Sequence, residues 1–140
     1  MDSLKSVIIQ KGADGIKQAY EQSLKAGKID IICLADSYEN IIGDYFEQKY
    51  APRLFGQTIT REILPDSPEN RVSTAKKDQK KNKVRFIKNN FPSQSDILLF
   101  SGQAVLISYN PENPYALLIK DAELVSALQN QFEALWKFLG

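Results

Sequence analysis

Hydrophobic and polar positions follow two rhythms along this chain. Ser6 to Gln10 is a short β-branched run that stops at Lys11-Gly12. Beyond it Ile16, Ala19, Tyr20, Ser23 and Leu24 recur at the spacing of one helix face. Gly27 stands where a helix C-terminal cap belongs. Lys28 to Leu34 then follows as a nearly continuous apolar run, the pattern of a strand buried on both faces in a parallel, helix-covered sheet. Asp36 or Ser37 is placed to cap a second helix in which Ile41, Ile42, Tyr45, Phe46 and Tyr50 share a face, and Pro52 is expected to end it.

Thr58 to Leu64 reads as a third strand, closed by Pro65. The polar stretch from Asp66 to Asn82, with Val72 as its one large aliphatic residue, predicts a loop or a poorly anchored helix. Val84 to Ile87 is a short strand. Asp96 to Phe100, Ala104 to Tyr109 and Tyr115 to Ile119 are separated only by Ser101-Gly102-Gln103 and by the segment Asn110 to Pro114. Connections that short make antiparallel hairpins and leave no room for crossover helices. Asp121 caps a last helix striped by Leu124, Val125, Leu128, Phe132, Leu135, Trp136 and Leu139, which is expected to be the best packed of the domain. The order predicts a single α/β domain over residues 1–140 with a mixed sheet.

Composition narrows the chemistry. The chain has 140 residues, 43% apolar and 10% aromatic, and a formal net charge of +1, so any pull on a polyanion must be local. Its apolar runs fall far short of the roughly 20 residues that cross a bilayer, and no basic-then-apolar leader opens it. A cytoplasmic protein without membrane contact is expected. There is no histidine, which excludes a Ser/His/Asp relay, a histidine phosphoryl carrier and a His-rich zinc site within the chain. The single cysteine, Cys33, excludes an internal disulfide and a Cys-only zinc site; it lies in an apolar run and reads as a core residue. Binding without metal or cofactor is favoured over catalysis.

The charge run from Arg71 to Lys88 sets eight cations against one acid, Asp78. It can contact phosphates, which makes a nucleic-acid-binding module one reading. A solvated loop is the plainer one, since no aromatic stands between Val72 and Val84 to stack on bases.

Several segments together resemble the effector domain of TrmB-type transcriptional regulators. These are Gly12-Ala13-Asp14-Gly15-Ile16-Lys17, Arg61-Glu62-Ile63-Leu64-Pro65-Asp66, the hairpin Ser95 to Tyr109, and the tail Ala116 to Leu124 with Phe132-Glu133-Ala134-Leu135-Trp136. The resemblance implies a phospholipase D-like fold with helices on both faces of the sheet, a small-molecule effector (a sugar or a phosphorylated metabolite), and homodimers. The terminal apolar helix offers a seam for such pairing. In that family DNA is bound by a separate winged-helix domain, which these residues do not contain.

The same likeness bears on activity. Active phospholipase D-type enzymes carry H-x-K near the start of a hairpin strand and G-S-x-N on the next. Here Asp96-Ile97-Leu98 and Ile107-Ser108-Tyr109-Asn110 stand at those places. The nucleophile and the cation that neutralises developing charge are both missing, so no enzymatic activity is expected; a degenerate phosphodiesterase acting through Asp96 is the alternative.

A ligand in an open α/β fold sits at strand ends. Arg61, Asp66, Arg85, Asp96 and Ser108 fall at or near predicted strand ends, and Tyr38 lies at an element end where it can stack on a sugar. These six are the candidate ligand-binding residues. For Arg61 the plainer reading is a salt bridge with Asp66 or Asp96, and Arg85 invites the same; for Tyr38 it is a core lid.

Overall fold

The computed structural model describes residues 6–88 and 93–140. The elements in chain order are β1 (Val7–Lys11), α1 (Gly12–Ser23), β2 (Lys28–Cys33), α2 (Glu39–Ile42), a π-helical turn (Phe46–Tyr50), α3 (Ala51–Gln57) and β3 (Ile59–Pro65). Then follow α4 (Pro68–Ala75), β4 (Asn82–Ile87), β5 (Ser95–Phe100), β6 (Gln103–Ser108), β7 (Tyr115–Ile119) and α5 (Ala122–Leu139). One seven-stranded sheet runs in the order β1-β7-β6-β5-β2-β3-β4. The pairs β2–β3 and β3–β4, joined through helices, are parallel; the remaining pairs are antiparallel. The two-residue turn Ser101-Gly102 has positive φ at both positions, the backbone a tight hairpin demands.

Two apolar layers sandwich the sheet. On one face Ile16, Ala19 and Tyr20 of α1 pack with Tyr50 and Leu54 over Ile29, Ile31, Leu98, Val105, Ile107 and Leu118. On the other, α5 lays Phe132 over Ile63, Leu99, Ala104 and Ile119. Gly15 sets how closely α1 approaches the sheet, because a Cβ there would overlap the carbonyl of Gln10.

Three expectations need correction. The second helix is not continuous: Gly43 at φ 63° interrupts it after one turn, and Pro52, expected to end it, lies in the first turn of α3, where its missing N–H has no helical partner to lose. Gly27 is not the cap of α1, which ends at Ser23 with Leu24 as its last half-turn residue. The terminal helix is not the best packed. Phe132 is the one buried residue of α5, whereas α1 buries Gly15, Ile16, Ala19, Tyr20 and Ser23. The reason is coverage: α1 shares its face with α2, the π-helical turn and α3, while α5 crosses its own face with its flanks open, leaving Leu124 at 49% and Phe138 at 83% exposure. The polar stretch forms α4, capped by Ser67 and burying no residue, in keeping with a poorly anchored helix.

Candidate functional site

Most of the residues singled out from sequence lie at one end of the sheet, with Arg61 toward the other end and Arg85 between them on β4. At the end where β2 and β3 finish and β5 begins stands Asp96, 3% exposed. Its Oδ1 accepts the backbone N–H groups of Leu34 (3.1 Å) and Ala35 (3.2 Å), and its Oδ2 accepts the Tyr20 hydroxyl (3.1 Å). Tyr20 in turn shares a very short hydrogen bond with the Tyr109 hydroxyl. The arrangement follows from register. Asp96 lies opposite Cys33 on β2 and Ile107 on β6, so its side chain emerges under α1, where Tyr20 is fixed by packing against Tyr45, Phe46 and Tyr50. Burial pushes the Asp96 carboxyl above its usual range, against the opposing pull of its donors, and raises the Cys33 thiol beside it.

A carboxylate so enclosed is a poor nucleophile: three donors already hold its oxygens, and among the described residues no cation pairs with it. The cavity that Asp96 itself lines, about 270 Å³, also takes in Ser95, Ile107 and Ser108; the neighbouring space beyond Leu34 and Ala35 is acidic. A cavity of about 420 Å³ there is lined by Leu34, Ala35, Asp36, Glu39, Pro65, Ser67, Glu69 and Asn70, three of which are acids. Asp66 lies beside it but is held by Arg71 in a two-pronged surface ion pair at 2.9 and 3.0 Å. Ser108 pairs in register with Ser95 and accepts the backbone N–H of Asn110. Tyr38 is half-buried, its hydroxyl donated to Glu47 and its ring packed on Phe46 and near Tyr109, so it lies within the aromatic layer.

Arg61 is elsewhere. It sits near the start of β3 and faces α5, and its partners are neither Asp66 nor Asp96. The guanidinium makes two bonds of 2.8 Å to Asp30, its register neighbour on β2, and two more, of 2.8 and 2.5 Å, to Glu133 of α5. Gln129 donates to both carboxylates. The plane lies over Phe132 and Trp136. Arginine beside it holds the Glu133 carboxyl down to about 2, and the two carboxylates push the guanidinium up. This network forms one wall of a groove of about 620 Å³ floored by Leu99, Phe100 and Val125; around it Lys28, Gln103, Ser126 and Asn130 make no side-chain hydrogen bond among the described residues. Arg85, on the same face, donates to the Trp136 carbonyl and stacks on that indole, with no carboxylate partner among the described residues. The six candidate residues therefore do not converge on one pocket.

Asp30, Gln129 and Glu133 were not found from the sequence. Asp30 did leave a signal, as an acid between Ile29 and Ile31 in a strand buried on both faces, where an unpaired charge is not tolerated. Glu62 and Lys77 were likewise missed as a pair: Nζ stands 2.6 Å from Oε1, both side chains are nearly buried, and the ammonium lies over Phe55. Of the eight cations from Arg71 to Lys88, four are thus engaged: Arg71, Lys77, Arg85, and Lys81 with the Gly56 carbonyl. No cluster of metal-ligating residues occurs among the described residues, and no helix there is long and apolar enough to cross a membrane.

No family sequence model matches the chain, and no curated protein matches it by sequence. Solved structures do match in shape. TrmBL2, an archaeal chromatin protein with a novel mode of DNA binding, aligns with a TM-score of 0.62 at 17% identity over 96% of this chain and 53% of its own length. The chain thus spans about half the length of TrmBL2. NucT from Helicobacter pylori aligns with a TM-score of 0.61 at 9% identity, over 94% of this chain and 95% of its own. Nuc from Salmonella typhimurium, a phospholipase D family member, gives 0.62 at 13% identity over 94% of each chain. With its mixed seven-stranded sheet, flanking helices and closing helix, the chain has the phospholipase D-like fold.

Proposed function

We propose that this chain is a non-catalytic ligand-sensing domain of a transcriptional regulator of the TrmB type, acting as a homodimer on a small-molecule effector. One observation carries the reading. At the hairpin position where phospholipase D-type enzymes carry their nucleophilic histidine, this chain has Asp96, buried and bound by two backbone amides and a tyrosine hydroxyl. Attack on phosphorus needs an accessible lone pair and a cation for the developing charge; three of the carboxyl's acceptor sites are already taken by hydrogen bonds, and no cation pairs with it among the described residues. The neighbouring cavity with Asp36, Glu39 and Glu69 adds negative charge nearby, which disfavours a phosphodiester.

The effector's place in this reading is the groove beside Arg61. Its charged groups, Lys28, Arg61, Asp30 and Glu133, cancel in formal charge, and its rim offers uncommitted amides and hydroxyls above an apolar floor. That combination suits a neutral sugar better than a phosphorylated metabolite, which would find Arg61 already making four hydrogen bonds to two carboxylates. A thermal-shift screen of neutral mono- and disaccharides against the matching sugar phosphates tests the reading: a neutral sugar raises the melting temperature in a saturable way, and Asn130→Ala with Gln129→Ala weakens the effect. Turnover of bis-p-nitrophenyl phosphate that disappears in Asp96→Ala refutes it.

Nucleic acid binding through the basic segment is the second reading. Lys76, Lys80, Lys83 and Lys88 make no ion pair or side-chain hydrogen bond among the described residues, and TrmBL2 is a DNA-binding neighbour. Four scattered lysines give a shallow salt dependence, and duplex binding that survives their neutralisation sinks this route.

A further inference from the structure

The two edges of the sheet are built differently. On β4 the free edge carries Lys83 and Arg85, with Lys88 just beyond, and Arg85 is drawn toward the terminal helix through the Trp136 carbonyl. Cations along an edge discourage a second strand from pairing with it. On β1 the free edge carries Val7, Ile8, Ile9 and Gln10 before its single charge, Lys11. Val7 and Ile8 are 38% exposed and Ile9 58%. There is no proline within β1, and the register with β7 runs unbroken from Val7–Ile119 to Lys11–Tyr115.

The backbone shows what fits this edge. Lys120 donates its N–H to Ser6, and Gly12 donates to Pro114. In an antiparallel pair the residues bonded inward alternate with those bonded outward. Ser6, Ile8, Gln10 and Gly12 therefore turn to β7, and Val7, Ile9 and Lys11 present their N–H and C=O groups away from the sheet. Among the described residues no strand pairs with them. The register also places Val7 and Ile9 on the α5 face, in line with Ile119 and Leu117; from Ile9 a row continues through Leu117, Leu106 and Ile97 of successive strands.

We infer that β1 pairs with β1 of a second copy of this chain, antiparallel about Ile9, joining two sheets into one of fourteen strands. The inference rests on the homodimer proposed above and assigns it to this edge instead of the terminal helix. Three features select a second copy. Outward groups at Val7, Ile9 and Lys11 are self-complementary about a two-fold at Ile9, giving about six new backbone bonds. Ile9 meets Ile9 of the partner, which joins the two apolar rows. Antiparallel pairing also sets each Lys11 opposite the partner's Val7, so the two ammonium groups stand at opposite ends of the ladder; a parallel arrangement would set them side by side. Five residues make a ladder only about 17 Å long. That is smaller than an interface of about 800 Å² per partner, so association is weak and shows at high micromolar concentration.

Sedimentation velocity on the whole chain from 5 to 500 µM tests this, with Ile9→Pro and Ile9→Lys as probes. Proline removes the outward N–H of Ile9 and leaves the inward ladder to β7 intact; lysine keeps the backbone and adds like charge at the two-fold. Expected is a monomer–dimer equilibrium in the wild type, weakened at least tenfold in both variants, with Ile9 amide exchange slowing as concentration rises. Should Ile9→Pro fail to fold, Ile9→Lys and the exchange measurement decide alone. A chain monomeric at 500 µM overturns both this inference and the dimer reading. A dimer that resists both variants but is lost in Phe138→Asp overturns the edge alone and leaves pairing in place.

Discussion

Replacing Asp96 by alanine strands three buried donors: the N–H groups of Leu34 and Ala35 and the Tyr20 hydroxyl. Each buried donor left without a partner costs about 1–3 kcal/mol. Against this, the mutation removes a buried carboxyl whose ionised form is costly to desolvate, and the hydroxyl can turn toward Tyr109. The net loss expected is about 3 kcal/mol, which for a domain of this size lowers the melting temperature by about 10 °C. Asparagine keeps an acceptor for the two amides and loses about a third as much. Calorimetry or circular dichroism at several pH values separates the terms. The folded carboxyl titrates above its unfolded value, so its favourable contribution is complete below the unfolded value, near pH 4, and is lost as pH rises through the higher folded one. The deficit of Asp96→Asn relative to wild type should therefore shrink between pH 4 and 7. A deficit that grows over that range, or an Asp96→Ala protein melting within 2 °C of wild type, refutes the reasoning.

Other outcomes follow from the packing. Gly15→Ala forces a methyl into the Gln10 carbonyl and shifts α1 off β1, costing about 1–3 kcal/mol in chemical denaturation, where an ordinary helical glycine would gain from alanine. Lys77→Met leaves Glu62 buried without its cation and costs about 3–5 kcal/mol, while the double variant Glu62→Leu/Lys77→Met recovers most of that; a double-mutant cycle with no coupling would show the pair is not desolvated.

What was legible from sequence was the local order. Seven strands and the first and last helices follow from apolar periodicity, because side-chain spacing alone distinguishes a strand from a helix face. The middle was harder. A helix broken at Gly43 and resumed through a π-helical turn keeps the same apolar residues, Ile42, Tyr45 and Tyr50, on one core, so the pattern alone could not reveal the break. That the chain has no histidine was readable from composition; that Asp96 is enclosed by Tyr20, seventy-six positions away in sequence, was not.

Residue types and local spacing were enough to give the class of fold, the absence of imidazole chemistry and the lack of buried apolar residues in α4, since none of these depends on distant neighbours. Which charges meet depends on how distant elements pack. Arg61 finds Asp30 through strand register and Glu133 through the docking of α5, and Asp96 is buried because β5 lies between β2 and β6 beneath α1. Register and layer order bring together residues that are remote along the chain, and the energy of a buried charge depends on those neighbours.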